Sequence, residues 1–295
     1  MLNNFLKLPP AFQLNIIFFI GMAITVCVFS DRINSWINFF VIYLSMALFQ
    51  FFLYKAGDNS IISAIRNVIF PVFSVLISFD TVGELTPLIN PGDIDGILLE
   101  LDYLILGFYP YLTFEKISYP LLTEVMQIAY CVYYILPFVI GFYLISKKDI
   151  VYFHKALFLI LFCYYLSYIG YMLFPALGPR YSIAQLFQYE LKGIFLAEDI
   201  KNLLNSLEGI KRDAFPSGHV GISLLVLYMM WLKNKRMFFI FFIPVILLVI
   251  STVYCRYHYF VDVIGGVILT VVTLVFGNLY YNFWLKKNGN SSFKG

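Results

Sequence analysis

Charge is scarce in this chain: Asp, Glu, Lys and Arg make up 13% of the residues, against 61% hydrophobic and 20% aromatic. So few charges cannot clothe a soluble domain, and the formal net charge of +3 is too small and too scattered for a nucleic-acid footprint. Cysteine is thin as well. The four present, Cys27, Cys131, Cys163 and Cys255, lie in apolar stretches without C-x-x-C spacing, which excludes a zinc site of that type and a disulfide framework and makes them packing residues. Internal repeats and low-complexity tracts are missing too. Histidine occurs only three times, so the position of each copy carries information.

What is abundant is apolar sequence. A mean hydropathy of +0.83 marks an integral membrane protein, and 32 Phe with 23 Tyr suit lipid-facing packing and interfacial belts. Runs long enough to cross a bilayer fall at about 13–30, 35–54, 61–79, 121–146, 153–174, 218–234, 237–254 and 258–284. The expected fold is all-α, a polytopic bundle of about eight transmembrane helices. The first run follows Lys7 and ends at Val26–Asp31 without a small-x-small cleavage site, so it reads as a retained span. Arg66 and Pro71 interrupt the third; were it re-entrant, the count would fall and the amino terminus would change sides. The chain divides into N-terminal helices at 1–79, an interfacial segment at 80–120, a core at 121–285 and a polar tail at 286–295.

Charge placement supplies an orientation. With the amino terminus inside, the inner segments collect Lys7, Lys55, Arg66, Lys147, Lys148, Lys155, Lys233, Lys235, Arg236, Lys286, Lys287 and Lys294 against Asp58 and Asp149. The outer segments hold nearly all the acids, including Asp80, Glu84, Asp93, Asp95, Glu100, Asp102 and Glu115. That asymmetry follows the positive-inside rule and puts both termini in the cytoplasm. Within the outer segment, 97–107 has apolar spacing with Glu100 and Asp102 among leucines, which predicts an amphipathic helix in the interface. Mixed polarity over 181–207 predicts short helices in the second outer loop.

Two of the three histidines fall at outer helix ends. Pro216-Ser217-Gly218-His219 opens one apolar run, and His258, followed four positions later by Asp262, opens another. Each has a plainer reading: Ser217 as an N-cap, His219 as a helix-start residue, His258 as one more interfacial aromatic beside Tyr254, Tyr257 and Tyr259. The joint pattern says more. At that spacing His258 and Asp262 share a helix face, so the carboxylate holds one imidazole nitrogen and leaves the other as a nucleophile or base. His219 has no such carboxylate and is suited to protonating a leaving group. His154, on the inner side beside Lys155, reads as an ordinary interfacial residue.

Anion-binding groups lie on the same side. Arg180, at the exit of the fifth span, and Arg256, two residues before His258, offer guanidinium groups to phosphate oxygens. Ser217 and Gly218 would add amides at a helix start, where the dipole favours an anion. Lys211 and Arg212 are weaker candidates. Too few acids stand near the histidines for an open metal cage. The chemistry indicated is phosphoryl transfer through a histidine.

Taken together these elements resemble the type 2 phosphatidic acid phosphatase superfamily of membrane lipid phosphatases. Its P-S-G-H motif is met in full at Pro216–His219, and its third motif at Ser251, His258 and Asp262. Thr252 stands where that motif has arginine, and Gly178-Pro179-Arg180 replaces the first motif. Those departures are similar to the branch typified by inositol phosphorylceramide synthase, whose Y-x-R-Y-H-Y-x-x-D pattern fits Tyr254–Asp262.

The resemblance implies a six-helix catalytic core and a ping-pong route. His258 would attack phosphorus, Asp262 orient it, His219 protonate the departing oxygen, and Arg180, Arg256, Ser217 and Gly218 hold the phosphate. It implies no metal or organic cofactor, and a lipid phosphate or phosphodiester as substrate. Water as acceptor would make the protein a phosphatase, an alcohol a phosphotransferase. A transporter or a non-catalytic lipid binder would place cations similarly, but transporters put ionisable groups near the midplane, and binding has no need of the His258–Asp262 pair.

Overall fold

Apolar segments in a bilayer must satisfy their own backbone groups, so they become helices. The computed structural model describes residues 5–57, 59–208 and 212–289. Helices α1 (Pro10–Val28), α2 (Trp36–Lys55), α3 (Ser60–Ile89), α6 (Pro120–Ser146), α7 (Ile150–Leu173), α11 (Lys235–Tyr254) and α12 (Phe260–Asn288) are long and apolar enough to cross a membrane. The eighth expected crossing, α10 (Gly218–Lys233), has only 16 residues. At 1.5 Å per residue that is about 24 Å, roughly a helical turn short of a 30 Å hydrocarbon core. At its start Ser217 is fully buried.

The chain is an all-α polytopic bundle, as the apolar runs predict. Contacts sort the helix ends into two sets. At one end Lys233 pairs with Asp149 at 2.7 Å, Tyr281 donates to the Val151 carbonyl, and the Asn288 amide reaches the carbonyl of Leu6. At the other, Asn90 donates to the carbonyls of Met172 and Leu173. Both histidine motifs lie at that second end. Helix α10 occupies the middle, packed against α6, α7, α11 and α12, with Val220, Ile222, Leu225, Val226 and Met230 buried. Helices α1 and α2 pair with each other, and α1 and α3 both lean on α7.

Three boundaries differ from the sequence reading. The third run continues to Ile89 instead of stopping at 79, so Asp80 and Glu84 belong to its last turns and not to a loop. Arg66 and Pro71 do not end it: the backbone widens to a π turn over Ile65–Ile69, and Pro71 follows two residues later inside the continuing helix. The last helix runs to Asn288, so Lys286 and Lys287 complete its final turn.

Between α3 and α6 the predicted interfacial helix is present as α4 (Asp95–Leu106). Gly107 ends it in the left-handed conformation, and α5 (Pro110–Lys116) leaves at 72°. Helix α4 exposes Ile97 and Leu104 while burying Asp95, Leu98 and Asp102. Glu100 is exposed with those apolar residues, a mixed outer face that suits the membrane interface, while the two buried acids do polar work inside.

Candidate active site

Beginning with the loops, α8 (Pro179–Ser182) and α9 (Ala197–Glu208) are the short outer helices expected over 181–207. Buried carboxylates fasten this irregular backbone. Asp95 accepts from the amides of Leu177 (2.8 Å) and Gly178 (2.9 Å) and from the Tyr259 hydroxyl (2.9 Å). Asp102 accepts from the amides of Phe260 and Val261 at 2.9 and 2.8 Å, capping the start of α12. Glu115 takes the amides of Gln188 and Tyr189, and Glu124 those of Ile194, Phe195, Leu196 and Ala197 at the start of α9. Loop amides with no secondary-structure partner need such acceptors.

Gly178, at φ 83, turns the chain so tightly that a Cβ there would lie 2.3 Å from the Tyr257 carbonyl oxygen. Only glycine meets both demands. The turn brings the Arg180 amide to the Arg256 carbonyl at 2.8 Å, tying the Gly178–Arg180 loop to the segment that carries His258.

The two expected histidines do meet. Their ring centroids are 5.8 Å apart. His258 is buried, 4% exposed, and its Nδ1 lies 2.8 Å from the Ala214 carbonyl oxygen and 3.3 Å from Asp262 Oδ2. A carbonyl can only accept, so Nδ1 carries the proton and Nε2 bears the lone pair. Asp262 Oδ2 also accepts the Tyr259 amide at 2.8 Å.

His219, half-buried, lies between Tyr130 and Tyr133, with centroids at 4.4 and 4.1 Å. The Tyr130 hydroxyl is 3.3 Å from its Nδ1. Tyr130 in turn packs on Tyr257 (4.6 Å), and the guanidinium carbon of Arg180 lies 4.5 Å from the centre of that same Tyr257 ring. A column of ring contacts therefore runs from Arg180 to His219. Gln127 anchors it by accepting the Tyr257 hydroxyl at 3.0 Å. Arg180 also donates from Nη1 to Asn205 at 3.2 Å.

The remaining expected ligands have protein partners of their own. Arg256 Nη2 donates to Glu115 (2.9 Å) and to the Tyr189 carbonyl (2.9 Å), and the guanidinium lies 3.8 Å over Phe187. Burial lowers its pKa and Glu115 opposes that shift, and the pair ties the outer loop to the segment that carries His258. The Ser217 amide donates to the Asp262 carbonyl and its hydroxyl accepts from Val220. The Gly218 amide bonds the Tyr171 hydroxyl, which would lie 2.5 Å from a Cβ at that position. Both amides thus hold α10 against its neighbours, and the glycine makes room for the Tyr171 hydroxyl. Arg212 pairs with Asp93; Lys211 lies outside the described residues.

The sequence reading missed Tyr130, Tyr133 and the Ala214 carbonyl. Tyr130 and Tyr133 are one helical turn apart, a usable signal. A backbone carbonyl leaves none.

A family model described as the PAP2 superfamily matches residues 106–276, more than half of the chain. A PA-phosphatase related-family protein of Dictyostelium discoideum is 30% identical over 112 residues, covering 37% of this chain and 20% of that protein. The match thus spans only a fifth of the relative's length. No solved structure matches the chain.

Proposed function

The chain belongs to the PAP2 superfamily, and from that premise we propose that it is a membrane lipid phosphatase or phosphotransferase working through a phosphohistidine. The observation that carries this reading is the pairing of His219 with His258, whose Nδ1 is held by a carbonyl and a carboxylate. Nε2 of His258 attacks phosphorus as the bond to the leaving oxygen breaks, and His219 gives that oxygen its proton. The imidazolium formed at His258 is stabilised by Asp262. His219, now neutral, takes a proton from the acceptor, whose oxygen displaces His258 from phosphorus.

Arg180 is the group assigned to the phosphate, because its column ends on His219. Arg256, Ser217 and Gly218 are assigned to positioning. The acceptor is water or an alcohol; the rings of Tyr130 and Tyr133 around His219 favour a lipid alcohol, since they limit access of water. Head-group transfer of the inositol phosphorylceramide synthase kind is the corresponding second reading. The positive-inside distribution supports an exoplasmic site with both termini in the cytoplasm.

Purified protein in detergent, given a panel of lipid phosphates and phosphodiesters, tests the reading. Phosphate release identifies a phosphatase and a new phosphorylated lipid a transferase. Neither product from any substrate would refute both.

A further inference from the structure

Two acids on α4 reach both of the segments to which phosphate chemistry is assigned. Asp95 and Asp102 are seven residues apart, about 10 Å along one face of the helix, and both are buried. Asp102 holds the amides of Phe260 and Val261, just after His258. Asp95 holds those of Leu177 and Gly178, just before Arg180.

Tyr259 joins the two segments. It directly follows His258 and is fully buried. Its amide donates at 2.8 Å to Asp262 Oδ2, the oxygen that lies 3.3 Å from His258 Nδ1. Its hydroxyl donates to Asp95 Oδ1 at 2.9 Å and lies 2.6 Å from the hydroxyl of Ser182, in the same short helix as Arg180. Ser182 in turn donates to the Gly178 carbonyl at 2.8 Å. One residue therefore bonds the carboxylate beside the imidazole through its backbone and the Arg180 loop through its side chain. A phenylalanine would fill the same space with no polar atom to satisfy, and a buried hydroxyl returns little net stability once its desolvation is counted. What it adds is direction, two bonds that fix one loop against the other.

We propose that Tyr259, with Asp95 and Ser182, is a positioning residue that sets the separation of Arg180 from His258, and with it the fit of the site to five-coordinate phosphorus. The inference rests on the reading in which Arg180 holds the phosphate and His258 attacks it. Nδ1 of His258 is held by the Ala214 carbonyl and by Asp262. Neither bond uses the Tyr259 hydroxyl, so loss of that hydroxyl loosens the clamp while the nucleophile stays oriented. A clamp displaced by a fraction of an ångström binds the transition state less well.

The test is orthovanadate binding to the full chain in detergent, measured by isothermal titration, with thermal melts beside it. Tyr259→Phe should weaken vanadate about tenfold and, with a substrate shown to turn over, raise KM by a larger factor than it lowers kcat. Ser182→Ala should move both quantities the same way by less, and it decides the matter if Tyr259→Phe fails to fold. In an Arg180→Ala background the effect of Tyr259→Phe on vanadate should shrink to about twofold or less, because it passes through Arg180. A lower melting temperature with unchanged vanadate affinity would make the hydroxyl structural only and overturn the proposal. An undiminished loss in the Arg180→Ala background would overturn it as well. Vanadate binding that is absent from the unaltered chain, or that Arg180→Ala leaves unchanged, would instead remove the reading of Arg180, and the inference with it.

Discussion

His258 Nδ1 lies nearer to the Ala214 carbonyl oxygen, at 2.8 Å, than to Asp262 Oδ2, at 3.3 Å. Because the carbonyl alone keeps Nδ1 protonated, Asp262→Asn should leave the tautomer intact. The loss in kcat should be about tenfold to a hundredfold, from the weaker stabilisation of imidazolium, and not the roughly ten-thousandfold found where a carboxylate alone sets the tautomer. Steady-state kinetics on the folded variant measure it. A ten-thousandfold loss would return tautomer control to Asp262.

Asp102 is expected to act on stability first. Asp102→Ala strips the acceptor from the amides of Phe260 and Val261, which should cost about 1–3 kcal/mol and loosen the turn that carries His258. Asp102→Asn keeps one acceptor and should lose less. Thermal melts in detergent, read beside activity, check the order of the two.

Arg180 and Arg256 should separate by kinetics. Arg180→Ala is expected to raise KM and weaken inhibition by orthovanadate, and Arg180→Lys to rescue only part of the loss because a point charge cannot reproduce the guanidinium fork. Arg256→Ala should lower stability, with vanadate affinity little changed. In a double-mutant cycle of Glu115→Ala with Arg256→Ala the losses should be non-additive by about 0.5–3 kcal/mol. Additive losses would show that the pair does not act as one brace.

Cysteines replacing Lys192 and Lys147, in a background with Cys27→Ser, report the orientation. The first should react with an impermeant reagent added to intact cells and the second should not. The opposite pattern would invert the proposed topology.

The large features of this fold were legible because they are local and periodic. Apolar runs gave the crossings, the spacing of leucines around Asp102 gave α4, and helix ends put His219 and His258 on one side. The four carboxylates that hold the outer loops were not legible in the same way. Asp95, Asp102, Glu115 and Glu124 served the sequence reading only as outer charge or not at all, since their partners are backbone amides 70 to 159 residues distant along the chain. The partner of Arg256 was hidden for a related reason: only the folded chain brings Glu115 within 2.9 Å of it.

The most direct test of the account is to trap the intermediate. Full chain mixed with a substrate shown to turn over, labelled with radioactive phosphorus, is quenched within one turnover, and the label is tested for acid lability, alkali stability and position by mass spectrometry. The account predicts an acid-labile, alkali-stable phosphoryl group on His258, absent from His258→Ala and longer-lived in His219→Ala. Label on any other residue, or full turnover by His258→Ala, would contradict it.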